Sequence, residues 1–195
     1  MVIVVKNKKQ IITYTLILIA LIGFIVIGKQ NFKPEDNEDS NISHKYNILD
    51  SKNVFEKINA SQALKKINSG NALIFMGFED NKQSEYYASL LNEVAKNLKI
   101  EKIYYYDFYN DRVENNGTYE TIVSKLTNYL QKDDLGNIDV QSPTFLVIKE
   151  GNVIYFDADT SKIQANLSEE DYWNDYNKNL KKAYIEAGLK NYLGE

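Results

Sequence analysis

The side chains on which covalent chemistry usually rests are scarce in this chain. It contains no cysteine, which excludes disulfide staples, thiolate metal sites and every cysteine nucleophile. Its one histidine, His44, stands in a polar stretch, so a Ser-His-Asp arrangement has no base near a folded core, and His44 reads as solvated. What remains is Asn81-Lys82-Gln83-Ser84, placed where an apolar run gives way to helical periodicity. An exposed helix start offers free backbone N–H groups that can hold an extended peptide or an anion. The same four residues also suit ordinary capping, with Asp80 or Asn81 as N-cap and Glu85 in the first turn. Glu79 and Asp80 argue against an anion at this point.

The elements around this stretch follow from pattern. Ala72 to Met76 is an uninterrupted apolar run, the signature of a buried strand, and Gly77 ends it. Tyr87, Leu90, Leu91, Val94 and Leu98 then recur at helical spacing, and Lys102 to Asp107 is rich in strand formers, so the two strands are expected to be parallel across a helical crossover. Upstream, Val54 to Ile58 alternates like an edge strand, although Asn53 and Glu56 have the spacing of a helix capping box; Ala63, Leu64 and Ile67 mark a helix that stops at Ser69-Gly70. Downstream, Asp107 to Gly117 reads as a polar loop, and Tyr119, Ile122, Val123, Leu126 and Leu130 mark the next helix. Thr144 to Ile148 and Val153 to Phe156 flank Lys149-Glu150-Gly151-Asn152 as an antiparallel hairpin. Ser168 with three acidic residues behind it opens one long closing helix through Trp173, Tyr176, Leu180, Tyr184 and Ala187.

The N-terminal part differs in kind. Ile11 to Gly28 is uncharged and apolar on all sides, and 18 helical residues reach about 27 Å, close to the hydrocarbon thickness of a bilayer. Residues 1–10 are expected to be cytoplasmic, because Lys6, Lys8, Lys9 and the free amine precede the span while Lys29 and Lys33 follow it. A cleaved signal peptide ending near Val26-Ile27-Gly28 is the competing reading; the length of the apolar run favours an uncleaved anchor. Residues 29–45 form a polar, acidic tether, and 46–195 the folded domain. With the five basic residues before Glu35 set aside, 18 basic face 27 acidic residues, a formal charge of −9 for the tether and domain together, which makes nucleic acid or an anionic lipid surface a poor partner. The stretch Asp133-Asp134-Leu135-Gly136-Asn137-Ile138-Asp139 lacks the carboxylate spacing and closing glutamate of a calcium loop and reads as solvated, so no metal or cofactor is expected. Most of the 15 tyrosines are expected to pack; Phe78 and Tyr86, then Trp173 and Tyr176, are the candidates for an exposed aromatic interface.

The succession strand, helix, strand, helix, strand, helix, hairpin, helix resembles the thioredoxin fold, from Val54 to the C-terminus. Three features carry the resemblance: the strand and Gly77 loop before the Tyr87 helix, Ser142-Pro143-Thr144-Phe145-Leu146-Val147-Ile148, and the Lys149-Glu150-Gly151-Asn152 turn. Asn59 to Gly70 and Ile103 to Asp107 look most like the bacterial bacteriocin transport accessory group, small thioredoxin-like domains that are sometimes membrane-attached. The resemblance implies a three-layer α/β/α domain with a central mixed sheet and a cis Pro143. It also implies that the C-x-x-C cysteines are replaced by Asn81 and Ser84 and that Ser142 offers its backbone to a substrate chain. The function expected from it is a single-pass protein of a bacterial cell membrane with an extracytoplasmic, redox-inactive domain. That domain binds a protein or peptide in a groove of Phe78, Ser142, Pro143 and Thr144. The alternative is an accessory subunit of a bacteriocin or peptide exporter or of a thiol-disulfide system, or an inactive oxidoreductase homologue.

Overall fold

The computed structural model describes Ile42 and residues 45–133, 135–161 and 167–195, all within the unit Asp39–Glu195. The apolar segment Ile11 to Gly28, most of the tether and His44 lie outside the described residues. Among the described residues no helix is long and apolar enough to cross a membrane.

The domain is α/β. Strands β1 (Phe55–Ile58), β2 (Ala72–Gly77), β3 (Ile103–Asp107), β4 (Thr144–Lys149) and β5 (Asn152–Asp157) form one mixed sheet in the order β1-β3-β2-β4-β5. β3 is parallel to β1 and β2, whereas β4 runs antiparallel to β2 and β5. Between the strands lie helices α1 (Ala60–Ser69), α2 (Lys82–Asn97), α3 (Tyr109–Val113) and α4 (Gly117–Leu126), and after β5 come α5 (Glu169–Tyr172) and α6 (Asp175–Leu193).

Because successive strand side chains face opposite ways, β2 serves two cores at once. Leu73 and Phe75 point to the side covered by α2 and α6, where they meet Tyr87, Leu91, Ile185 and Leu189. Ile74 and Met76 point to the side covered by α1 and α4, where they meet Ala63, Ile67, Ile122 and Leu126. Every residue of β2 is buried, as its unbroken apolar run requires. Val54 to Ile58 resolves as an edge strand, since the Asn53 side chain accepts from Phe55 N–H at 3.0 Å and the true capping box is Asn59 with Gln62.

Three expectations are corrected. The Asp107 to Gly117 loop contains the short helix α3, held by Asp111, which accepts from Tyr106 Oη and Asn116 Nδ2, both at 2.7 Å. The closing helix is two helices: the chain breaks at Trp173, and Asn174 caps α6 by accepting from Asn177 N–H at 3.1 Å. Packing starts before Tyr46, because Ile42 is fully buried and Lys45 pairs with Glu79 and Asp107.

The β4–β5 turn shows how tightly the hairpin is docked. Glu150 and Gly151 both have positive φ, 53° and 76°, as a two-residue hairpin turn demands. A Cβ on Gly151 would stand 2.7 Å from the Asn68 carbonyl oxygen of α1. Gly151→Ala is therefore expected to destabilise the domain by about 1–3 kcal/mol, measured as a lower midpoint of chemical unfolding with an unchanged slope.

Candidate functional site

The strand-to-helix junction of β2 and α2 meets the turn before β4, and a pair of hydroxyls joins them. Ser84 Oγ and Ser142 Oγ are 2.5 Å apart, 58 residues distant in sequence, and both side chains are buried. The Ser142–Pro143 peptide bond is cis. Thr144 Oγ1 donates to the Gln141 carbonyl at 2.6 Å, tying the turn to the first residue of β4.

Asn81 is the N-cap of α2, its Oδ1 accepting from Ser84 N–H at 2.8 Å, and Glu85 stands in the first turn paired with Lys82. The competing cap, Asp80, instead occupies the left-handed region with φ 59°. Gly77 is required by crowding: a Cβ there would lie 2.9 Å from Ser84 Oγ and 3.0 Å from Tyr46 Oη. The hydroxyls of Tyr46 and Tyr105 are 3.2 Å apart, and Tyr46 Oη also donates to the Phe78 carbonyl at 3.2 Å. Residues 45–49 thus form a strap packed against the junction, with Ile48 N–H donating to Glu85 at 3.2 Å. Sequence reading missed this strap; its signal was Tyr46 and Leu49, apolar residues spaced by three at the edge of the polar stretch.

The expected exposed loop is mostly closed. Gln83, Ser84, Ser142, Pro143 and Thr144 are buried, so of the named residues only Phe78, Asn81 and Lys82 reach solvent. Trp173, expected on an exposed aromatic surface, is 2 % exposed; its indole stacks on Tyr86 with centroids 5.8 Å apart, and its Nε1–H donates to Gln83 Oε1 at 2.7 Å. The physical reason is the break after α5, where Asn174 restarts the helix and leaves Trp173 in the core that α6 covers. Tyr176 is exposed, and Phe78 and Tyr86 are half-buried.

Beside the junction lies an open cleft of about 320 Å³, bounded by Phe78, Asn81, Arg112, Asp139, Gln141 and Ser142 among others. A larger recess of about 610 Å³ lies at Ile48, Lys82, Glu85, Tyr86 and Glu169, but it includes neither Asn81 nor Ser142. Among the described residues no cluster of His, Asp or Glu could hold a metal ion. Asp133 and Asp139 serve their own loop: the Asp133 carboxylate accepts from Asn137 Nδ2, Asn137 N–H and Leu135 N–H, and Asp139 from Tyr119 Oη and Val140 N–H. The Asn137 amide, first among these donors, holds the Asp133 carboxyl below its ordinary pKa.

No family model matches the chain, and no curated protein matches it.

Electrostatically the junction is set by buried phenols. Burial pushes Tyr46 and Tyr105 above the ordinary phenol range; the Tyr105 and Ser84 hydroxyls temper Tyr46, while the Tyr46 phenol raises Tyr105 further. Tyr87, Tyr106, Tyr119 and Tyr155 are also raised, each chiefly by burial. Since the folded pKa lies above the unfolded value near 10, this stabilisation is complete below about pH 10 and is lost as pH rises beyond it. An absorbance titration at 295 nm is expected to show these buried phenols ionising only in one step with alkaline unfolding. Smooth titration of all tyrosines without unfolding would contradict the packing.

Proposed function

We propose that this chain is a thioredoxin-like binding protein that acts by contact, not by thiol exchange, and that its membrane anchor holds the domain on the outer side of a bacterial cell membrane. The observation that carries the reading is the 2.5 Å contact of Ser84 with Ser142, which puts the α2 start and the turn before Pro143 on one wall of an open cleft. The order of elements supports the same likeness: a strand-helix-strand-helix-strand core followed by two helices, an antiparallel hairpin and two closing helices. In the resembled proteins the residue before the proline offers its backbone to an extended substrate chain, which amounts to adding a short strand. Here Ser142 has that position, and its buried hydroxyl is committed to Ser84, so the partner meets the cleft through Gln141, Asn81 and the half-buried ring of Phe78. Nothing in the chain can cycle sulfur, because it has no cysteine.

The test uses the full chain in detergent with a panel of unstructured peptides, binding being read from the fluorescence of Trp173, the single tryptophan. Saturable peptide binding that falls at least tenfold in Phe78→Asp, with no disulfide reduction above buffer, is the expected result. Binding indifferent to Phe78→Asp, no binding, or measurable disulfide reduction would overturn the reading.

A further inference from the structure

Among the described residues that line the cleft one is a cation, Arg112, and its surroundings fix what it can do. Arg112 projects from α3 with its guanidinium carbon 5.3 Å from the Phe78 ring centroid and 5.4 Å from that of Phe108. Phe108 is fully buried and makes edge contact with Phe78 at 5.4 Å, so the two rings form a rigid aromatic seat for the guanidinium. A guanidinium attracted to neighbouring rings keeps its N–H donors in one plane, a fork that matches the two oxygens of a carboxylate.

The carboxylates nearby are engaged elsewhere. Asp133 and Asp139 accept from their own loop and from Tyr119, Asp111 accepts from Tyr106 and Asn116, and Asp107 pairs with Lys45. No ion pair joins Arg112 to a carboxylate among the described residues. Asn81, which also lines the cleft, has its Oδ1 accepting from Ser84 N–H, while its amide NH2 keeps two donors to offer. The Arg112 guanidinium and the Asn81 amide NH2 thus give the cleft donors that suit an acceptor-rich group. A phosphate dianion suits it poorly, since the walls also carry Asp133 and Asp139 and supply a single compensating cation.

We propose that the Arg112 guanidinium, seated on Phe78 and Phe108, is the specificity-determining group of the cleft and binds a carboxylate of the partner peptide. This rests on the peptide-binding reading above. Two sources supply that chemistry, the terminal carboxylate of a chain and an acidic side chain within it.

The test compares, on the full chain in detergent, one peptide panel in four forms: free or amidated C-terminus, each with internal Glu or with Gln in its place. Tighter binding of carboxylate-bearing forms is expected, by about tenfold to a hundredfold, which is the scale of hydrogen bonds to a charged group. The preference should weaken at high salt and vanish in Arg112→Gln, with Arg112→Lys recovering only part of it, while amidated Gln peptides bind both proteins equally. The amidation arm and the Glu-to-Gln arm tell the two sources apart. Arg112 is half-exposed on a short helix, so Arg112→Gln should melt like the wild type, which separates loss of recognition from loss of fold. Peptides that bind with no carboxylate preference, or a preference that survives Arg112→Gln, would overturn the inference and leave the peptide-binding reading standing. Failure of every peptide form would overturn both.

Discussion

Replacing Asp157 with alanine lowers the unfolding free energy by about 3–5 kcal/mol, the cost of leaving a buried cation without its partner. Lys181 Nζ donates to both Asp157 oxygens, at 3.0 and 2.8 Å, and the two side chains are 7 % and 5 % exposed. Tyr87 Oη donates to the same carboxylate at 2.9 Å, as does Asp159 N–H at 3.1 Å. The carboxylate thus ties α2, α6 and the end of β5 together inside a buried layer. Lys181→Met should cost a similar amount, because it strands the anion. The double change Asp157→Leu/Lys181→Met removes both charges and should recover most of the loss, which chemical unfolding followed through Trp173 fluorescence would read. Singles that cost less than about 1 kcal/mol, or a double that costs their sum, would show the pair to be solvated. Asp157 pairs in register with Phe145, one residue beyond Thr144, so the same network holds the strand end that carries the Ser142 turn.

That network was not legible in the sequence, and the reason is physical. A lysine in the middle of a helix reads as solvent-facing, and an aspartate at a strand end reads as a turn residue; only their meeting across the sheet makes them a core pair. What was legible rests on local periodicity. The apolar run of β2, the spacing along α2 and the Glu150-Gly151 turn each declare themselves within a dozen residues. Asn81 as a helix cap is likewise a local fact, since its side chain serves an N–H three residues on. The burial of Ser84 and Ser142 is not local, because the two cover each other and Ser84 also meets the Tyr46 hydroxyl from the strap. Trp173 misleads for a related reason: an amphipathic spacing that fits one helix through Tyr176 and Leu180 places it outward, whereas the restart at Asn174 turns it inward. Arg112 was hidden in a stretch that reads as polar loop and gains meaning only when α3 brings it over Phe78.

The double substitution Asn81→Cys/Ser84→Cys is expected to form an intramolecular disulfide and to give the chain a reductase activity it otherwise lacks. The Asn81 side chain already reaches back over the first turn, with Oδ1 2.8 Å from the Ser84 amide, so a sulfur at the same position points toward the Ser84 side chain. The sulfur at position 81 would stand at the N-terminal end of a helix of 16 residues, whose dipole and unpaired N–H groups favour a thiolate, drawing its pKa from about 8.5 toward 7. Asn81 is partly exposed while Ser84 is buried against Ser142, so the first sulfur is open to attack a partner disulfide and the second is shielded to resolve it. Thiol counting after mild oxidation should find no free thiol in the double variant and one in each single variant, with alkylation at position 81 much the faster. Lys82 and Gln83 stay in place between the two sulfurs, so any activity arises from the backbone geometry and the two new atoms alone. Two thiols that stay free under oxidising conditions would mean that the α2 start does not have the geometry of a dithiol site, and the thioredoxin-like reading would fall with it.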